Sequence, residues 1–380
     1  MRKLYILFLL LLVPIVAKAD FPDFDVIPRG DGGKVNIRSI TSGGTSTVAI
    51  EVDPTADTVT VNKTMTAVNA VIPYNYIING NLDISQRGDF TSASGATHAE
   101  YTLDRMQTRL TTVTANVQHL STSQPSGVYG SESLRHTATS TGSGKIGVIQ
   151  PIEDLNYILL QGEVVTLSAW VKSNDSNARI GIYDGSQTET SDAHTGGGSW
   201  EFLSVTYTLP TSMSAMSAVF QIMSSSDGSV SITSGDYFEF TRAMLNKGGK
   251  AYPFVRHGGS FASELAACQR YYQKSYPVDT APDSGLAGGS FQSNIIADTS
   301  NQNYYHIPFP VTMRATPTAY TYSTVASQGT GKYYNSTDAA TNAATVVDAG
   351  TNGFSWRPNS GTNQNIGDYV RCQWTAEAEL

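Results

Sequence analysis

A period of two constrains this chain more than any other feature. In VVTLSAWVK, Val165, Leu167, Ala169 and Val171 fall on one side of an extended backbone, and Thr166, Ser168, Trp170 and Lys172 fall on the other. The stretch WEFLSVTYTLP repeats the pattern: Leu203, Val205, Tyr207 and Leu209 alternate with Trp200, Phe202, Ser204 and Thr206. Wound into a helix, these residues would scatter around its circumference, so the alternation predicts strands with one face in a core. RIGIY, SAVFQIM and DYFEFTRAML are further runs, divided by loops such as SNDSN, SDAHTGGGS and SSSDGS. With no βαβ alternation and no repeat of fixed period, strands at this spacing describe an antiparallel sandwich.

Only 15% of the 380 residues are charged, 34 are Gly, and long passages are rich in Ser, Thr and Asn, which agrees with an all-β chain. The formal charge of -8, without a run of Lys or Arg, provides no field for phosphate and excludes nucleic acid as a partner. The length predicts two or three units of roughly 100 to 200 residues each.

The first 19 residues form a leader: Arg2 and Lys3, an apolar run from Leu4 to Val16, then Ala17-Lys18-Ala19 before Asp20. This is the pattern of a removed secretory signal, and the run is too short to span a bilayer comfortably. Residues 20–73 follow with short alternating runs, Val48, Ile50, Val52 and Val59, Val61, and little nearby to pack on. Such strands read as an extended stem that buries its faces against sister copies. Residues 74–259 hold the sandwich, and residues 277–380 return to strands in SFQSNIIAD, YYHIPFPV, TPTAYTYST, ATVVDAG, GFSWR and YVRCQWTAEAEL, a separate all-β unit. Between them lies a helix, expected over 260–276. Ser260 caps it, and Phe261, Leu265, Cys268 and Tyr272 form one apolar stripe that closes the first domain onto the second or packs with symmetry mates. The two cysteines, Cys268 and Cys372, make neither a disulfide framework nor a metal site and read as free thiols.

An ordered set of segments carries a resemblance: YIINGNLDISQRGDF, YTLDRM, LSAWVKS, SWEFLSVTYTLP and AYPFVRHGGSFASELAACQRYYQKSY. Together they resemble the carbohydrate-binding-like jelly-roll region of bacteriophage tail fibre and receptor-binding proteins. The C-terminal block, with IPFPVTMRATPT and QWTAEAEL, is similar to the small tip domain that often follows in such fibres. The resemblance covers Tyr74 to Leu380. It implies a jelly roll plus a smaller C-terminal β-sandwich, joined by one helix and preceded by an extended β stem. It also implies a virion attachment protein, usually a homotrimer, that binds cell-surface glycans without catalysis and meets other phage tail or virion proteins through its N-terminal region. The leader keeps a secreted bacterial carbohydrate-binding or adhesive protein as an alternative; a structural virion decoration without ligand and a glycan hydrolase are two more.

Sugars are held by a flat aromatic face with a few hydrogen-bonding groups beside it. Trp170 is the leading candidate because it stands on the polar face of a strand whose other face is core; Tyr183 qualifies similarly, opposite Ile180 and Ile182, and Trp200 begins a strand beside a glycine loop. In the C-terminal block, Tyr333, Tyr334 and Trp356 either touch a receptor or close a core. By resemblance, Asp83 and Glu239 would hold a structural calcium ion. The six histidines lie in no metal-binding or nucleophile-activating spacing, and neither GxSxG nor a phosphate loop is present.

Overall fold

The computed structural model describes 73–222, 231–297, 303–359 and 364–380 in full, the backbone of Met223, and in the N-terminal region the backbone of four strands. The leader, Val61 and the links between those strands lie outside the described residues. The chain divides into two compact units, Met1–Ile72 and Pro73–Leu380.

In the first unit, β1 (Phe24–Pro28), β2 (Val35–Ile40), β3 (Ser46–Asp53) and β4 (Thr58–Thr60) pair antiparallel in chain order, a simple meander. Val48, Ile50 and Val52 all fall within β3, as their alternation predicts.

The second unit opens on a jelly-roll sandwich. Its strands are β5 (Ser94–Ala96), β6 (Gln107–Thr111), β7 (Ala115–Leu120), β8 (Ser133–Ala138), β9 (Gly142–Ser143), β10 (Lys145–Pro151), β11 (Val164–Ser173), β12 (Ala178–Tyr183), β13 (Thr188–Thr190), β14 (Trp200–Thr208), β15 (Ser217–Met223), β16 (Ser231–Ile232) and β17 (Tyr237–Lys247). One sheet runs β14-β11-β17-β8-β7-β5 and the other β13-β12-β15-β10-β6, with β9 and β16 as a separate pair. The core lies between the two sheets, and the alternation decides what enters it. Val165, Leu167, Ala169 and Val171 point inward from β11, Ile180 and Ile182 from β12, and Phe240 of β17 stacks on Phe220 of β15 with centroids 4.4 Å apart.

The helix is shorter than expected, Phe261–Gln269. The Ser260 side chain accepts from the Ser263 backbone N–H as the sequence indicates. Its stripe is different from the expected one. Phe261 is exposed, while Glu264 is fully buried, accepting from the Asn79 backbone N–H and the Arg256 guanidinium. The helix packs through Cys268 and Leu265 on Ile78 and Ile84. Tyr272 is not helical at all; it begins β18 (Tyr272–Lys274), which pairs with the C-terminal strand β25 (Tyr369–Glu377). A β-ladder partner supplied from about a hundred positions downstream wins over local helical propensity there.

The C-terminal sheet is completed by β19 (Phe291–Asn294), β20 (Tyr305–Pro308), β21 (Thr318–Tyr322), β22 (Lys332–Asn335), β23 (Ala340–Gly350) and β24 (Gly353–Pro358). Strand order is β18-β25-β22-β23-β24-β20, with β19 and β21 also on β25. Gly350 pairs with Gly353, so the hairpin loop is the two-residue Thr351-Asn352.

Both cysteines are free and fully buried, and burial pushes each thiol pKa well above the ordinary value. Maleimide labelling is therefore expected to find no thiol in the native protein and two in denaturant; rapid labelling of native protein would contradict the packing around either cysteine. Among the described residues no helix is long and apolar enough to cross a membrane.

Candidate functional site

The outward face of the six-stranded sheet carries the candidate site. Antiparallel register sets Trp170 of β11 opposite Phe202 of β14 and Thr241 of β17, and the Trp170 and Phe202 rings meet edge to face at 5.6 Å. Two residues along the same face, Lys172 lies opposite Trp200 and Glu239, with its ammonium 5.9 Å from the Trp200 ring centroid. In the other direction come Ser168, Ser204 and Met244, a low floor beside the aromatic wall.

A β-bulge supplies the polar group. Ser168 pairs with Met244 and Trp170 with Thr241, so Arg242 and Ala243 together oppose Ala169. The extra residue re-aims Arg242, whose backbone sits at φ 54°, a left-handed conformation that is costly outside glycine. The bulge is pinned from behind: the Ala243 N–H donates to the Gly80 carbonyl at 2.9 Å, and the Asn75 side-chain amide donates to the Ala243 carbonyl at 3.0 Å. Gly80 has to be glycine, since a Cβ there would come within 2.2 Å of the Ala243 carbonyl oxygen. The same Asn75 amide donates to the Val255 carbonyl at 3.0 Å, which folds the Ala251–Phe254 segment over the sheet.

The result is a cleft of about 360 Å³, lined by Ser168, Trp170, Phe202, Arg242, Met244 and the Ala251–Phe254 segment, with Val128 at one lip. Phe202 is 48% exposed, and Trp170, Tyr252 and Phe254 are half-buried, so aromatic surface faces the opening. The Arg242 guanidinium lies 5.0 Å from the Phe254 ring centroid and donates to the Tyr129 carbonyl, while its Nε is buried without a partner. Burial, and then the nearby Arg256 charge, lower its pKa from the usual arginine value. Chemically this is a surface for the C–H face of a ring, with a strong hydrogen-bond donor at its edge.

The structure brings Trp170 and Trp200 onto one face. Tyr183 is separate: it stands half-buried on the outward side of the other sheet, paired with Ser217 and Thr188. Tyr333 and Trp356 are corrections. Both are fully buried, because β22 turns Tyr333 inward and β24 turns Phe354 and Trp356 inward, where Trp356 packs on Tyr333, Tyr305 and Phe291. Neither presents a ring to a receptor. Tyr334 has the opposite parity and is half-exposed, with the Arg371 guanidinium 5.4 Å from its ring.

The calcium pair is also corrected. Asp83 accepts from Arg256 and from Asn81, and these bonds hold its carboxyl below the usual range although burial alone would raise it. Glu239 is fully buried and accepts from the Ser133 hydroxyl at 2.7 Å and Arg135 Nε at 2.9 Å. The two carboxylates are neutralised by different arginines, and among the described residues no group of three or more His, Cys, Asp or Glu side chains could hold a metal ion.

Phe202, Arg242, Tyr252 and Phe254 are cleft residues that sequence reasoning did not single out. Phe202 was within reach, since it shares the parity of Trp200. Arg242 also had a signal: the apolar positions of FEFTRAML shift from even, Phe238 and Phe240, to odd, Ala243 and Leu245, which is what a bulge does to a strand. Tyr252 and Phe254 follow the last strand of the sandwich without periodicity, and contacts such as the Asn75 bond to the Val255 carbonyl hold their segment.

No protein family matches the sequence, and no curated protein does. Solved structures overlap it in part. The enzymatically active domain of bacteriophage CBA120 tailspike protein 4 overlaps 46% of this chain at 14% identity and a TM-score of 0.28, and the chain spans only 21% of that one. The C-terminal family 22 carbohydrate-binding module of Clostridium thermocellum Xyn10B overlaps 43% of this chain and 98% of its own, at 15% identity and a TM-score of 0.28. The tandem CBM22-1–CBM22-2 of Paenibacillus barcinonensis Xyn10C overlaps 78% and 99%, at 13% identity and a TM-score of 0.26. Overlaps at these scores transfer neither a ligand nor an activity to this chain.

Proposed function

We propose that this protein is a non-enzymatic glycan-binding attachment protein, of the tail-fibre kind its segments resemble, and that it holds cell-surface sugar in the cleft over Trp170. The observation that carries this reading is the cleft itself: Trp170, Phe202, Tyr252 and Phe254 turn aromatic surface toward an opening with one guanidinium at its edge and one serine on its floor. A sugar ring placed there covers apolar C–H groups on the aromatic wall while its hydroxyls meet the polar edge. Single sites of this kind bind weakly, and a trimeric fibre would multiply them by raising effective concentration.

Glycan-array screening followed by calorimetry of Trp170→Ala tests the site. The expected result is at least a roughly tenfold loss of affinity, the consequence of removing a stacking face worth about 1.4 kcal/mol or more, with the melting temperature unchanged. An affinity equal to that of the parent would remove the cleft from consideration, and release of reducing ends from a bound polysaccharide would replace the binder with a hydrolase. The apolar run before Ala17-Lys18-Ala19 favours a second reading, a secreted adhesive protein with the same cleft. Mature protein beginning at Asp20 supports secretion; the intact chain in purified virions supports the fibre.

A further inference from the structure

We infer that the cleft selects a sugar residue bearing a carboxylate, with the Arg242 guanidinium as the group that reads it. This rests on the glycan-binding reading above and goes further by naming the ligand's charge.

Two other half-buried arginines, on or beside this sheet, are paired with carboxylates. Arg256 holds Asp83 and Glu264, and Arg135 holds Glu239. Arg242 differs from both. Among the described residues no carboxylate lies within ion-pairing distance of it, its one protein acceptor is the neutral Tyr129 carbonyl, and its buried Nε has no acceptor. Taking a guanidinium from water without a counter-charge is unfavourable, and so is the left-handed backbone that aims it into the cleft. Both costs fall on one residue, at the edge of the aromatic site. Such a residue is complementary to an anion that arrives from outside.

The surrounding charges agree. Asp83, whose charge acts on Arg242, is committed to Arg256. On the same sheet face Lys172 also lacks a carboxylate partner among the described residues, since its cross-strand neighbour Glu239 is taken by Arg135. The face therefore presents two uncompensated cations although the whole chain carries -8. A planar carboxylate matches the guanidinium fork, and its ring still needs the aromatic wall, so an acidic sugar satisfies both halves of the site.

The test is calorimetry of the full-length chain against matched pairs: an oligogalacturonate with its carboxyl-reduced counterpart, and sialyllactose with lactose. The expected result is that the acidic member of at least one pair binds roughly ten- to a hundredfold more tightly, the range of one charge-assisted contact, and that the preference shrinks with added salt. Which pair responds distinguishes a uronic from a sialic residue. Arg242→Gln should bring the acidic member down to the level of its neutral counterpart. Arg242→Lys, which keeps the charge but not the fork, should retain part of the preference and serves if the glutamine variant fails to fold. Equal affinity within every pair, with binding still lost in Trp170→Ala, overturns this inference and leaves the glycan reading standing. Binding to no glycan of either charge overturns both. A full preference surviving in both arginine variants overturns the assignment to Arg242.

Discussion

Glu379→Ala lowers the unfolding free energy of the Pro73–Leu380 unit by about 3–5 kcal/mol, the cost of leaving a buried charge without its partner. Arg105 is 1% exposed and its guanidinium has one carboxylate partner, Glu379, which is itself largely enclosed and also bonds Arg87 at 3.0 Å. The remaining Arg105 contacts, the Pro151 carbonyl at 2.7 Å and the Tyr271 and Tyr101 rings with centroids 3.6 and 5.9 Å away, are neutral and cannot replace a counter-charge. Glu377→Ala is the matched control. Its carboxylate also meets Arg87 but is 43% exposed, so its loss should cost less than about 1 kcal/mol. Chemical denaturation of the two variants side by side checks the contrast, and equal midpoints would mean that the Arg105 pair adds nothing net.

Acid should destabilise the sandwich through His136. The ring is fully buried in β8, Nε2 lies 3.2 Å from the Thr108 hydroxyl, Nδ1 has no partner, and burial pushes its pKa down to about 3. An unfolded chain takes up the proton near the ordinary value of about 6.5, whereas the native state refuses it until about 3. Stability from this group is therefore intact above about 6.5 and falls as pH drops toward 3, by about 1.4 kcal/mol per unit. His119 has the opposite sign. Hydrogen bonds from its ring to Glu132 and Asp89 raise its pKa against the effect of burial, so its contribution is present in acid and lost as pH rises through the folded value. Comparing the parent with His136→Gln isolates the first effect. Between pH 7 and 4 the parent should lose on the order of 3 kcal/mol more than the variant, and parallel curves would show that the native ring takes up its proton as readily as the unfolded chain's.

Legibility in the sequence followed the physics of each element. Strands such as Val164–Ser173 were legible because burial of one face writes a period of two, and the Ser260 cap was legible because capping is local chemistry. Tyr272 was misjudged, and the burial of Glu264 was not legible, because their partners, β25 and Arg256, are set by tertiary placement. The outward placement of Trp170 was legible from parity alone. Tyr333 and Trp356 stood open between receptor contact and core because their stretches are rich in Asn, Ser, Thr and Gly, a composition that conceals an inward alternation. Four of the ten cleft residues come from a segment held by Asn75 from 180 positions away, a contact that no local pattern announces.

Strand β25 pairs directly with β18, β19, β21 and β22, all of which precede it in the chain. During vectorial synthesis those four segments leave the ribosome before the one ribbon that joins them exists, and Arg87 and Arg105 wait equally long for Glu379. The sandwich has every strand it needs well before that moment. Assembly of this unit is thus staged by the order of translation, and the interval between the two stages is when its unpaired edges most need a chaperone.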